Sequence, residues 1–525
     1  MNKIIEQVKN WQWLRSWRPY FIIFTLGFLL YSQTLFFNYT YFDDNELILN
    51  KAAILQDARN ITSIFSTDAF FSGDKFYYRP LLNLSFMVDA HFGGEMPFVY
   101  HLDNILLHLL TVMLVFCLLK KITKKSALSF FLSLIFLFHP VFVQAVAWLP
   151  GRNDSILAIF ILSAFIFFLN FLENPRLRTY IAYLIFLFLS LLTKETAILL
   201  PALVIFYFWF IDQGKISRSD KSLLIIGSAA VGFVWFLMRN FALGGEPINY
   251  YSAFLGMMNN SGAILLGIGK LILPVNLSVL PIMQDSTLVY GIIITIILVV
   301  AWAISKQRRN NYLIFGLIWF LVFLLPSFIR LNSLPDFLEH RLYVPFIGFL
   351  IAFAEIDWIK NLDFTRKKVK ITCFVILIIF ALITVIHSQK FNDRLTFWKQ
   401  AASDSPHSPL AQRNLGAMYY LEGNADLAVE YYNKALLINP EEAMVHNNLG
   451  LIYAGKGNLV QAEKEYKLEL AMYPNYDKAL LNLGDLYYRE KKVAEAQVLW
   501  QAAFNINPYY YDAYSRLLNL SNQLR

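Results

Sequence analysis

As far as about residue 390 the chain is a series of apolar runs, each about 17 to 22 residues long and separated by short polar or basic turns; beyond that point the runs stop. A helix of about 20 apolar residues, at roughly 1.5 Å rise per residue, matches the roughly 30 Å hydrocarbon core of a bilayer. A soluble core does not require such runs in series. Composition agrees: 57% of the 525 residues are hydrophobic and 16% are charged, against about 25% charged in a soluble chain. The expected fold is all-α and in two parts. Residues 1–390 form a polytopic membrane helix bundle, and 391–525 form a separate domain in water.

The net charge of +8 invites a nucleic-acid reading, but the Lys and Arg residues form no contiguous face. They gather in the short loops between apolar runs, as cytoplasmic loops require, so no nucleic-acid partner is expected. Cys117 and Cys373 both lie within apolar runs, which leaves neither a disulfide framework nor a zinc site. Lys3, Lys9, Arg15 and Arg18 precede the first run and no small-residue cleavage site follows it, so the run reads as a retained span with a cytoplasmic N-terminus.

Charge then orients the rest. Spans are expected at 20–37, 99–119, 127–147, 156–172, 179–193, 197–211, 222–238, 288–304, 312–329, 341–359 and 371–387, with a large first external loop over 38–98. Residues 253–273 are apolar but interrupted by glycines and Lys270. Counting them as a span would place Lys306, Arg308 and Arg309 outside, so they read as re-entrant or interfacial. Eleven spans, an odd number, put the C-terminal domain on the side opposite the N-terminus.

From about 391 a period of 34 residues takes over. Asn414-Leu415-Gly416, Asn448-Leu449-Gly450 and Asn482-Leu483-Gly484 repeat at that step, as do Pro406, Pro440, Pro474 and Pro508. Paired helices with small residues at their contact, closed by Pro, are the tetratricopeptide (TPR) pattern. Three units (409–442, 443–476, 477–510), a preceding helix near 394–404 and a closing helix over 511–525 make an α-solenoid.

Charges at the non-cytoplasmic membrane edge are costly and mark function. Here they are Asp43 and Asp44 after the first span, Arg79 in the first loop, His101, Asp103 and His108 at the second span, Arg152 and Asp154 after the third, Lys194 and Glu195 after the fifth, and Glu339 and Arg341 before the tenth. Two adjacent carboxylates suit a general base whose neighbour tunes it; they also suit a solvated helix cap. His101 and His108 could act as ligands or make single polar contacts within the bundle. No His/Asp cluster has zinc spacing, and participation of a divalent metal is left open. The Arg and Lys residues could hold a lipid phosphate or anchor headgroups. Asn414, Asn448 and Asn482 recur on the first helix of each repeat, where a ladder of amides could bind the backbone of an extended acceptor peptide, or where Asn could simply be the usual residue before Leu-Gly in this repeat.

These residues carry a resemblance. Phe42-Asp43-Asp44, Tyr78-Arg79-Pro80-Leu81, His101-Leu102-Asp103-Asn104, Leu107-His108, Gly151-Arg152-Asn153-Asp154, Lys194-Glu195 and Glu339-His340-Arg341-Leu342-Tyr343-Val344-Pro345 follow in the order of the GT-C glycosyltransferases. Within that group the chain resembles the transmembrane and TPR-containing O-mannosyltransferases and their bacterial relatives, over nearly its whole length. The resemblance implies a polyprenyl-phosphate sugar donor and Asp43 or Asp44 as the base activating an acceptor hydroxyl, with inversion at the anomeric carbon. Arg79, Arg152, Lys194 and Arg341 would stabilise the departing phosphate. His101, Asp103, His108, Asp154, Glu195 and Glu339 would support the site. The array is short, with three clear units. A TPR scaffold tethered by its spans and a lipid-linked saccharide transporter are the competing readings. Eleven spans exceed what tethering needs, and apart from His108 the spans lack the deep charges a transporter would use. Usage rich in Phe, Ile, Asn and Lys points to a bacterial inner membrane with a periplasmic TPR domain; in a eukaryote the same orientation would be luminal in the endoplasmic reticulum.

Overall fold

Proline and glycine set the breaks in the helical bundle. In the computed structural model, which describes residues 12–71, 77–212, 217–244, 250–329, 337–507 and 511–523, the regular elements are helices. Lys3, Lys9, Lys215 and Pro508 lie outside the described residues. Contacts divide the chain into two units, Met1–Phe397 and Trp398–Arg525.

In the first unit Pro19 and Pro97 stand at the first turns of Arg18–Tyr31 and Pro97–Thr123, where a missing N–H costs nothing. Pro140 has the opposite effect. It divides the expected third span into Ser126–Phe138 and Pro140–Ala147, bent by 50°, because a ring there removes one helical hydrogen bond and crowds the preceding turn. Gly151 then opens Arg152–Glu173; a Cβ at Gly151 would stand 2.3 Å from the Gln144 carbonyl oxygen, so the segment between these helices turns back tightly only on glycine.

Among the described residues six helices are long and apolar enough to cross a membrane, or seven with the bent pair. Leu177–Leu191, Glu195–Phe210 and Val289–Ile304 fall on expected spans but are shorter than these six, and the expected span over 341–359 holds Tyr343–Phe353, with 11 residues. Helix length alone therefore yields fewer crossings than the eleven read from loop charges. Gly262–Ile272 has 11 residues, about 16 Å of helix, half of what a crossing needs.

The loops sort to two ends. At one, Lys121 pairs with Glu173 at 2.9 Å, Lys125 donates to the Lys360 carbonyl at 2.6 Å, Arg309 reaches the Ile122 carbonyl and Lys360 pairs with Glu355 at 2.7 Å. Lys120 donates there to the Leu14 carbonyl. At the other end Leu81 N–H donates to the Leu192 carbonyl, Lys390 donates to the Leu277 carbonyl and Asn38 N–H donates to the Asn392 carbonyl. The basic loops thus share one end with residue 14. The segment Gln389–Phe391 shares the other with the first loop.

Among its described residues the second unit contains three helix pairs: Pro409–Leu421 with Ala425–Ile438, Val445–Gly455 with Leu459–Met472, and Asp477–Arg489 with Val493–Ile506. The 34-residue step becomes a repeated contact. Gly416 faces Tyr432, Gly450 faces Tyr466 and Gly484 faces Trp500, and a Cβ at these glycines would come within 2.9, 2.5 and 2.6 Å of the ring, which leaves no room for any side chain. Gly450→Ala is expected to lower the stability of this unit by about 1–3 kcal/mol through overpacking, despite alanine's better helix propensity. Thermal unfolding followed by circular dichroism checks it.

Candidate functional site

The site is built from the start of the first loop. Tyr41 and Asp43 both take positive φ, 56° and 66°, and Asp43 stands at the N-terminus of the short helix Asp44–Leu47. Asp and Asn tolerate this left-handed backbone better than most residues. Asp43 is half-buried and Asp44 is fully buried. Asp44 Oδ2 accepts from the Thr40 N–H at 2.7 Å and the Thr40 hydroxyl at 2.9 Å, while Oδ1 has no hydrogen-bond partner among the described residues. Burial pushes the Asp44 carboxyl up to about 7, against the Thr40 bonds, and the charge of Asp43 adds to the rise.

A chain of contacts leads from this pair to the cations. Trp148 donates its indole N–H to the Phe42 carbonyl at 2.5 Å and its ring stacks on Phe42 at 5.0 Å. The same indole lies 5.4 Å from the His340 ring. His340 Nε2 is 3.8 Å from Asp154 Oδ2, and Lys194 Nζ pairs with Asp154 Oδ1 at 2.7 Å. Arg79 and Arg341 lie close enough for their charges to act on Lys194. Arg79 Nε is 3.6 Å from Glu195 Oε2, and Glu195 Oε1 accepts from the Tyr78 N–H at 2.9 Å. Arg341 donates to the Ser327 carbonyl at 3.2 Å. Residues far apart in the chain thus form one mixed-charge layer beside the acidic pair.

Arg152 sits differently. It is fully buried: Nε donates to Asn104 at 2.7 Å, Nη2 to the Tyr100 carbonyl at 2.7 Å, and Nη1 pairs with Asp89 at 2.6 Å and Asp103 at 3.4 Å. Its guanidinium also lies 4.7 Å over the Phe86 ring. Each of its nitrogens is already engaged by the protein. Asp89 is the partner sequence reasoning missed. Its carboxyl is pushed up to about 6 by burial, opposed by Arg152. The only signal was one acid in the apolar stretch Leu84–His91, and no local spacing joins it to Arg152.

Both nitrogens of His101 are buried without hydrogen-bond partners among the described residues, and its ring meets Phe37 edge-on. His108 is buried, with Nδ1 2.6 Å from the Tyr343 hydroxyl. Glu339 is buried and pairs with Lys270 at 2.6 Å. Among the described residues no group of three or more His, Cys, Asp or Glu could hold a metal ion. In the second unit Asn414, Asn448 and Asn482 are half-buried. Asn482 donates to Asn447 at 2.8 Å, and Asn447 donates to Asn448 at 3.2 Å, so a neighbouring amide already links two of the three rungs.

Residues 90–238 match the family described as dolichyl-phosphate-mannose-protein mannosyltransferase, and 416–457 match a TPR repeat. The chain is similar to proteins named protein O-mannosyl-transferases. It is 24% identical to the protein O-mannosyl-transferase F38B6.6 of Caenorhabditis elegans over 79% of this chain and 62% of the worm protein. It is 30% identical to human TMTC1 over 35% of this chain and 22% of that protein, and 34% identical to human TMTC2 over 26% and 17%. The chain thus spans less than two thirds of the length of these relatives. A solved structure, the first TPR of Spaghetti (RPAP3) bound to an HSP90 peptide, aligns with 22% of this chain and 92% of its own at 23% identity, with a TM-score of 0.21. The mannosyltransferase match contains Asp103, Arg152, Asp154, Lys194 and Glu195; Asp43, Asp44, Arg79 and Arg341 lie outside it.

Proposed function

We propose that this chain transfers a sugar from a polyprenyl-phosphate carrier to an acceptor hydroxyl, a protein Ser or Thr, on the non-cytoplasmic side of a membrane. One observation carries the reading: an acidic pair at the mouth of the first loop adjoins a layer holding Arg79, Lys194 and Arg341. The acceptor oxygen attacks the anomeric carbon while its proton passes to a carboxylate. The bond from that carbon to the phosphate oxygen breaks, and polyprenyl phosphate leaves with the electron pair. Asp43, the more accessible carboxylate, is the base. Asp44, held by Thr40, anchors the turn. The cations stabilise charge that grows on the phosphate, where preorganised donors act most strongly. Arg152, with its nitrogens engaged, holds the first loop onto the bundle and does not bind phosphate.

The grouping of basic loops with residue 14 at one end, and of residues 389–391 with the first loop at the other, supports an odd number of crossings. The TPR region would then share a compartment with the acidic pair and hold the acceptor along Asn414, Asn448 and Asn482. Sequence relatives named as protein O-mannosyl-transferases favour mannose as the sugar and protein as the acceptor.

Membranes containing the chain, supplied with labelled polyprenyl-phosphate mannose and a Ser/Thr-rich peptide, should yield labelled peptide. No transfer to any hydroxyl acceptor from mannose, glucose or N-acetylhexosamine carriers would overturn the proposal. Arg79→Gln is expected to lower kcat about tenfold, equivalent to roughly 1.4 kcal/mol, with a smaller change in the donor KM. Initial rates across a donor titration check this.

A further inference from the structure

Lys270 is a charge where none belongs. It interrupts the apolar, glycine-rich segment that loop charges assign to the membrane boundary, and it is 2% exposed. A lysine ammonium out of water needs a fixed counter-charge, and here it has one in Glu339: Nζ to Oε1 is 2.6 Å. The same oxygen accepts from the Ser278 N–H at 3.2 Å. Oε2 lies 3.7 Å from His387 Nε2, and neither atom has a hydrogen-bond partner among the described residues. One carboxylate therefore ties the helix Gly262–Ile272 to the loop after it, and stands against the end of Lys367–Ser388.

What this carboxylate holds is the turn Glu339–Leu342. The turn is gripped on its other flank by Gln144, which accepts from the His340 N–H at 3.3 Å and donates to the Val279 carbonyl at 3.2 Å. The next side chains on the turn are His340, facing Asp154, and Arg341. Hydrophobic residues of similar volume would stabilise the fold as well as a buried ion pair does. An ion pair adds direction: a charge-assisted hydrogen bond fixes where the turn stands.

We propose that Lys270 is a positioning residue that, through Glu339, sets the turn presenting His340 and Arg341 to the Asp154–Lys194 pair. The short helix Gly262–Ile272 then serves as a shelf for the site. The kinetic arm of this inference rests on the proposed transfer reaction; its structural arm does not.

The test uses the full chain in detergent micelles and native membranes. Lys270→Met is expected to lower the unfolding temperature and to cut kcat/KM for the polyprenyl-phosphate sugar about thirtyfold, while Lys270→Arg keeps most of both. The double variant Lys270→Met with Glu339→Gln removes both charges; it should regain the unfolding temperature but not the kinetics. The activity-independent arm reads geometry. In a background with Cys117→Ser and Cys373→Ser, the pair Asp154→Cys and His340→Cys should cross-link with a short bis-maleimide, which alkylates both thiols, when position 270 is Lys or Arg. The yield should fall at least fivefold in the double variant. Recovery of both kinetics and cross-linking in the double variant would overturn the proposal and leave an ordinary structural ion pair. Cross-linking that responds as expected in a chain without transfer activity would sustain the positioning role and count against the reaction instead.

Discussion

Asp43→Asn should abolish sugar transfer, by about a thousandfold, while leaving the fold intact. Positioned proton transfer contributes roughly 100- to 10,000-fold, and Asn accepts the left-handed backbone at this position as readily as Asp, so the substitution removes the charge with the turn kept. Asp44→Asn should act in another way. Asn can still accept from Thr40, so transfer should fall only about tenfold, and stability should rise. The sign follows from burial. A folded-state carboxyl pushed up to about 7 binds its proton more tightly than in the unfolded chain, where the value is about 4. Native stability therefore falls as pH rises between about 4 and 7. The stability advantage of Asp44→Asn over the native chain should grow across that window and level off above it. Rates at saturating donor, with thermal unfolding at pH 4.5, 6 and 7.5, check both. If Asp44→Asn proves the deeper loss and Asp43→Asn transfers at half the native rate, the two roles are exchanged.

Arg152→Met should be the most destabilising single change in the first unit. It strands Asp89, buried to 4% exposure, beside Asp103, and removes the donors to Asn104 and the Tyr100 carbonyl. Breaking one side of a buried ion pair costs about 3–5 kcal/mol, whereas removing both charges is often near neutral. Adding Asp89→Asn should restore most of the loss. Unfolding temperatures of the single and double variants give the coupling. If Arg152→Met folds normally but raises the donor KM, Arg152 belongs with the phosphate ligands after all.

Much of the architecture was legible because it depends on local rules. Apolar runs mark helices that must satisfy their backbone internally in lipid, and Gly416, Gly450 and Gly484 announce ring contacts at a fixed offset. The break at Pro140 was not read, although its cause is local, since the apolar run continues through it. Span count by length and span count by charge differ because several helices here are cut short by 3-10 turns at the site end, as at Glu195–Leu199 and Glu339–Leu342.

At the site, sequence alone could name Asp43, Asp44, Arg79, Lys194 and Arg341, since charged residues at a membrane edge stand out against apolar surroundings. It could also set the helical class, the repeats and their period, because those follow from side-chain pattern along one chain. Which charge meets which was decided by the tertiary structure. Arg152 turns inward to Asp89, and Lys270 finds Glu339 across 69 residues, because a charge leaving water takes the partner that packing places within reach. No spacing in the chain encodes that choice.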